Sequence, residues 1–198
     1  MPNVVTDIMV SPALVYYAPS STAVPADTVA AGTAWGGAWV SMGYTKTPLS
    51  MKYEFDEVDV NIEQSLAPVD RQKTSEGLTL ETTLAELYLD GIALGSGGTV
   101  TQTPAGVGQP GKEELPLGGV ATLTKRMFGF EGKYIDEDGA TFPVRVFVWR
   151  ATAALNDALE FGKEDSTGVS LIIKALADMT KTDGQRLFKI SKILEPAT

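Results

Sequence analysis

Between residues 51 and 63 the chain alternates two kinds of side chain. Met51, Tyr53 and Phe55 are set against Lys52, Glu54 and Asp56, and Val58, Val60 and Ile62 against Asp59, Asn61 and Glu63. A period of two puts successive side chains on opposite faces of a strand, so the pattern predicts extended chain with one apolar and one wet face. The wet face is acidic, with Lys52 alone opposing Glu54, Asp56, Glu57, Asp59 and Glu63. Such a face suggests a surface or a channel wall more than an active-site cleft.

The same periodicity places most other elements. Residues 13–17 and 38–44 read as strands joined by a long loop, the second strand carrying Trp39 and Tyr44. Residues 65–77, with Pro68 and mixed charges, read as a loop, and residues 78–84 as a strand of alternating Leu and Thr/Glu. From Glu86 the spacing turns helical through Leu87, Tyr88, Gly91 and Ile92, with Gly95 placed to end a short helix. Residues 95–119, rich in Gly, Thr, Pro and Gln, read as a mobile or partner-ordered loop. A β meander follows. Its strands are expected at 127–135, 141–153, 158–162, 169–177 and 187–194, with turns at Asp136-Glu137-Asp138-Gly139, through 163–168, and at Asp183-Gly184. In the strand at 141–153, Phe142, Val144, Val146 and Val148 alternate with Pro143, Arg145, Phe147 and Trp149, so both faces must be covered. The expectation is a mainly β fold of two packed sheets, sandwich or barrel-like, with one short flanking helix.

Composition narrows the chemistry. The 198 residues suit a single domain spanning 1–198, and 20 Gly with 11 Pro fit many turns. Histidine and cysteine are both absent. That removes disulfides, Cys/His metal sites, thiol nucleophiles and Ser-His-Asp triads, leaving carboxylate, Lys, Tyr or Ser/Lys chemistry. No enzyme activity, metal or cofactor is therefore expected. No segment approaches the roughly 20 apolar residues of a membrane helix, so no membrane partner is expected. The net charge of −9 disfavours tight binding of nucleic acid.

Three motifs imitate catalytic chemistry. Gly106-Val107-Gly108-Gln109-Pro110-Gly111-Lys112 matches the start of a P-loop, but Glu113 stands where a hydroxyl should meet magnesium, and no strand or helix pattern flanks it. Asp136, Asp138 and Gly139 resemble part of a calcium loop without its downstream carboxylates, and read as a hairpin turn. Paired carboxylates along the acidic strand leave a glycan hydrolase open as an alternative, though alternation along one strand fits a solvated face better. Residues 1–50 hold only Asp7, Asp27 and Lys46 as charges, which makes a poor free surface. Trp35 and Trp39 within it are candidates for a contact with another subunit, or for anchoring the core.

Taken together, several stretches carry a family resemblance. They include Leu14-Val15-Tyr16-Tyr17-Ala18-Pro19, Pro25-Ala26-Asp27-Thr28, Trp39-Val40-Ser41-Met42-Gly43-Tyr44, Tyr53-Glu54-Phe55-Asp56, Val58-Asp59-Val60 and Glu63-Gln64-Ser65. The strand at 78–86, Leu159-Glu160-Phe161-Gly162-Lys163-Glu164-Asp165 and Leu176-Ala177-Asp178 belong with them. The chain resembles the major tail proteins, or tail tube proteins, of bacteriophages with long, flexible, non-contractile tails, along essentially its whole length. The resemblance implies a structural virion subunit, assembled in the host cytoplasm into stacked hexameric rings. These form a hollow tail tube through which double-stranded DNA passes without tight binding, alongside a tape measure and a tail terminator protein. It implies strands of neighbouring subunits joined into an inner barrel, with Glu54, Asp56, Asp59 and Glu63 as candidates to line the lumen. The segment 1–30 and the loops 65–77 and 95–119 are candidate inter-subunit elements, with Trp35, Trp39 and Arg71 as candidate contacts. Another virion β-protein, for capsid decoration or the tail tip, is the nearest alternative.

Overall fold

A computed structural model describes residues 11–136, 139–157, 159 and 168–194. All but residue 159 of the expected strand at 158–162, most of the turn after it, Glu137, Asp138 and residues 1–10 lie outside the described residues. The fold is mainly β, the described residues forming one large sheet, one small sheet and one helix. Among the described residues ten strands are present: β1 Leu14–Pro19, β2 Val40–Ser41, β3 Ser50–Val60, β4 Asp70–Leu84, β5 Thr101–Thr103, β6 Lys112–Glu114, β7 Arg126–Ile135, β8 Thr141–Leu155, β9 Val169–Ala175 and β10 Phe188–Lys192. Helix α1 spans Leu89–Ser96.

The large sheet runs β2-β1-β7-β8-β9-β4-β3, and every pairing in it is antiparallel. β10 joins β8 along Val144 to Val148, on the edge that β9 occupies further on at Ala151 to Leu155. The two short strands thus continue one another along β8, interrupted by an excursion at 176–187. That excursion is pinned where the Leu176 amide donates to Arg150 O (2.7 Å) and the Trp149 indole donates to Gln185 O (2.8 Å).

The sheet curls. After β2 the chain bridges to the end of β4, where the Lys46 amide donates to Thr83 O (2.7 Å) and the Ala85 amide to Tyr44 O (2.8 Å). The enclosed face buries Val15, Leu78, Leu80, Leu84, Phe128, Phe130, Val148, Val169, Leu171 and Ile173 in one core. Helix α1 lies against β8 and β9 with Ile92 and Leu94 buried. Gly95 was expected to stop this helix, but Gly97 does so, in the left-handed region with its amide donating to Ala93 O (2.8 Å). Gly95 instead permits close approach: a Cβ there would meet Leu155 N at 2.9 Å.

Three other expectations change. The strand expected at 38–44 is only two residues long. Residues 70–77, expected as loop, are the first half of the 15-residue strand β4, since their polar side chains alternate without an apolar partner to reveal the period. The 95–119 loop contains the β5–β6 hairpin, in which Gly106 and Gln109 exchange backbone hydrogen bonds (2.9 and 3.1 Å) around Val107-Gly108.

Candidate functional site: an exposed β arm and a polar sheet face

β4 pairs with β9 only over Thr79 to Leu84, whereas it pairs with β3 from Asp70 to Glu81. From Leu78 to Asp70 the β3–β4 ribbon therefore runs on as a two-stranded arm of roughly 25 Å. Every residue of β3 except the half-buried Val60 is exposed, and so are Asp70 to Glu76 of β4. The apolar face of β3, with Met51, Tyr53 and Phe55, is only partly covered among the described residues: Tyr53 meets Phe188 of β10 (5.8 Å between centroids), and all three side chains stay exposed.

Pairing decides which side chains share a face. Asp56 opposes Ser75 while Glu57 opposes Lys73, so Thr74 is an extra residue forming a bulge in β4. β3 itself alternates without interruption. Met51, Tyr53, Phe55, Glu57 and Asp59 fall on one face, and Lys52, Glu54, Asp56, Val58 and Val60 on the other. Side-chain contacts agree. Tyr53 OH donates to Glu76 (2.7 Å), and Lys73 Nζ lies 4.5 Å from the Phe55 ring centroid and within 3.1 Å of Tyr53 OH, a bond that raises the pKa of Lys73. Arg71 Nε donates to Asp59 (2.8 Å). On the other face, Ser75 Oγ donates to Asp56 (2.6 Å) and Lys52 pairs with Glu54 (2.5 Å).

The four acidic residues singled out in the sequence are thus not brought together. Glu54 and Asp56 share a face; Asp59 lies on the opposite one, paired with Arg71; Glu63 sits in the turn at the arm's end. The switch of apolar residues from odd to even numbers after Phe55 is the signal for this, since an unbroken strand must then turn its apolar side over.

The face with Glu54 and Asp56 is continuous with the outer face of β4 and β9. Register sets Lys52, Thr79, Lys174 and Thr152 in one row across four strands, and Ser50, Glu81, Ile172 and Ala154 in the next. Neither Glu81 nor Lys174 was legible as part of this surface, because their partners are remote in sequence. The face carries Glu54, Asp56, Glu81 and Asp70 against Lys52 and Lys174, a mixed wall with an acidic excess.

Trp35 and Trp39 are placed inside the subunit. The loop between β1 and β2 folds back over β1, β7 and β8, where Trp35 stacks on Tyr16 (4.3 Å between centroids) and meets Trp39 edge-on (5.0 Å). With Ala18, Met127 and Phe147 they form a second core. This loop covers the second apolar face of β8, as the alternation there required.

The motifs that imitate catalysis have other roles. The P-loop-like sequence is the tip of the β5–β6 hairpin, where Lys112 pairs with Glu114 (2.8 Å). Asp136 closes the β7–β8 turn by accepting from the Ala140 amide (2.7 Å). Among the described residues no cluster of three acidic side chains is arranged to hold a metal ion, and no helix is long and apolar enough to cross a membrane.

A curled antiparallel sheet, a projecting β arm with exposed apolar side chains and a long polar face, with no metal cluster among the described residues, are features of a structural β-protein. The sequence pattern of the family described as phage tail tube protein matches residues 6–190, and the chain belongs to that family. It is accordingly a structural component of a phage tail, and the family implies assembly into an oligomeric tube with other tail proteins. Among curated proteins none matches the chain.

Proposed function

We propose that the chain assembles into hexameric rings that stack into the hollow tube of a long, non-contractile phage tail, through which the genome is ejected. The observation that carries this reading is the β3–β4 arm. A ribbon with Met51, Tyr53 and Phe55 exposed in a row is costly in water and prone to edge pairing, and a ring of copies removes both problems at once.

In the proposed ring the polar face lines the lumen, with Glu54 and Asp56 joined by Glu81. Its acidic excess repels phosphate, and the Thr and Ser side chains between the charges offer no basic cluster for DNA to hold. Asp59 and Glu63 fall outside this wall. The arm, with Arg71, and the segment 1–30 are the proposed contacts between subunits and rings; Trp35 and Trp39 shape that segment from within. Tape measure and tail terminator proteins are the proposed further partners, and the host cytoplasm the proposed place of assembly.

Electron microscopy of the purified protein tests the proposal. Rings or tubes with an open lumen and six subunits in cross-section are expected. A protein that stays monomeric at high concentration rules the reading out, and a capsid-bound or tail-tip location in the virion favours the other virion roles.

A further inference from the structure

The bulge at Thr74 decides what the aromatic face of the arm carries. In a strand without it, Lys73 and Glu76, three residues apart, would point to opposite faces. With it, Lys73 stands opposite Glu57 and Glu76 opposite Phe55, so both join the face of Tyr53 and Phe55. The two side chains close over the rings. Lys73 Nζ lies 4.5 Å from the Phe55 centroid and 5.2 Å from that of Tyr53, and donates to the Tyr53 hydroxyl (3.1 Å), which in turn donates to Glu76 (2.7 Å). The charges of Glu57 and Glu76 hold the ammonium there.

This arrangement lies where pairing is hardest to control. β3 is the outermost strand of the large sheet, 11 residues long, with Met51, Tyr53 and Phe55 exposed along it. Apolar side chains on a long edge strand associate unless something blunts them, and a lysine and a bulge are two of the usual devices. Here the bulge brings the lysine to the face that needs it. Lys52 of β3 stands on the opposite face, paired with Glu54.

We propose that Lys73 is a gate on self-assembly: in the free subunit its ammonium and alkyl stem roof Tyr53 and Phe55, and a second copy reaches these rings only by displacing it. The gate rests on the reading of the protein as self-assembling, and adds what holds the free subunit back. It is weak by construction. The Lys73 side chain is exposed, and its ammonium stays in water when lifted, so only its ring and hydroxyl contacts are lost. Burying two aromatic side chains between copies outweighs that loss. Lys73 therefore raises the concentration at which copies join without preventing it.

The threshold concentration for forming the parent's rings or tubes, read by sedimentation and microscopy, is the test. Lys73→Met keeps the length of the stem and removes the charge. It should lower the threshold about two- to fivefold, as expected for releasing one exposed cation–π contact. Lys73→Arg, which keeps a cation able to lie over a ring, should stay near the parent. Lys52→Met removes a charge from the opposite face and should not lower the threshold. A threshold that Lys73→Met leaves unchanged or raises overturns the gate, the second result making Lys73 a contact between copies. An equal fall with Lys52→Met also overturns it, tracing the effect to net charge alone. Clumping of Lys73→Met without rings does the same, since the face it frees must be the one the assembly uses. Failure of the unsubstituted protein to assemble removes the self-assembly reading and the gate with it.

Discussion

Arg145 and Glu131 face each other across β8 and β7, with Arg145 Nε 2.7 Å from Glu131 Oε2 and both side chains buried. Each charge is also spent on the loop above. Arg145 donates to Ala26 O (3.1 Å) and Val29 O (2.5 Å), while Glu131 accepts from the Gly32 amide (2.7 Å) and the Trp35 indole (3.1 Å). The pair is thus a clasp for the 26–35 loop. Replacing one partner strands the other in the interior, so Arg145→Ala or Glu131→Ala should cost about 3–5 kcal/mol. Denaturant unfolding followed by tryptophan fluorescence is the measurement, and a loss below about 1 kcal/mol would show that the clasp bears little of the loop.

Gly129 lies under the same loop. A Cβ at this position would sit 2.2 Å from Trp35 Cζ3 and 2.7 Å from Cη2, inside the ring itself. Gly129→Ala should displace the stacked indole and destabilise by about 1–3 kcal/mol, as overpacking does. Calorimetry and near-ultraviolet circular dichroism should change together. If stability falls but the aromatic signal is untouched, Trp35 is not the group that moves.

These two sites show what the sequence could and could not reveal. Alternation made β3, β8 and the cover over both faces of β8 legible, because period two is written in adjacent residues. The identity of that cover was not legible: the clasp joins residues 26–35 to 131 and 145, and only folding brings them together. Trp35 and Trp39 read equally well as anchor or contact until Gly129 made room for them. The acidic wall was half legible, since Glu54 and Asp56 share a face. Asp59 falls on the opposite face because the apolar positions change phase after Phe55 while the strand runs on unbroken. The arm's second strand was hidden by its lack of apolar residues.

Tyr17 and Tyr88 meet beside the N-terminus of α1, near Asp90. Burial raises the pKa of both hydroxyls above the ordinary tyrosine value; Asp90 adds to the shift at each, and Tyr17 adds to that of Tyr88. A raised folded pKa means that the unfolded chain gives up its protons first. The contribution is therefore complete below about pH 10, the ordinary tyrosine value, and is lost as pH rises above it. Tyr88→Phe should flatten the alkaline fall in stability relative to the parent, whatever its cost at pH 7. Parallel stability curves for the two proteins between pH 9 and 11 would exclude this origin.

Tyr53 and Phe55 touch each other (6.0 Å between centroids) and are 38% and 46% exposed. Their contacts with Glu76, Lys73 and Phe188 are made at the surface, where hydrogen bonds and ring contacts contribute about 1 kcal/mol or less each. Tyr53→Ser/Phe55→Ser should therefore lower the stability of the monomer by only about 1–2 kcal/mol, leaving it folded, while abolishing assembly in sedimentation and microscopy. Assembly that survives the double substitution means the arm's apolar face is not buried between copies, and the arm would need another role.

The wall itself is tested by reversing its charge. Glu54 and Asp56 are exposed, and their links to Lys52 and Ser75 are surface contacts of little energetic weight. Glu54→Lys/Asp56→Lys should thus leave the fold and the tubes intact. The change moves each subunit by four charge units, turning an acidic excess on that face into a basic one, so a lumen lined by it would hold phosphate. Genome release from phage carrying the variant should slow markedly, and added salt should restore it, since salt weakens protein–phosphate attraction steeply. Release at the parent's rate from intact variant tails would place this face on the outside of the tube and leave the acidic excess as a matter of solubility.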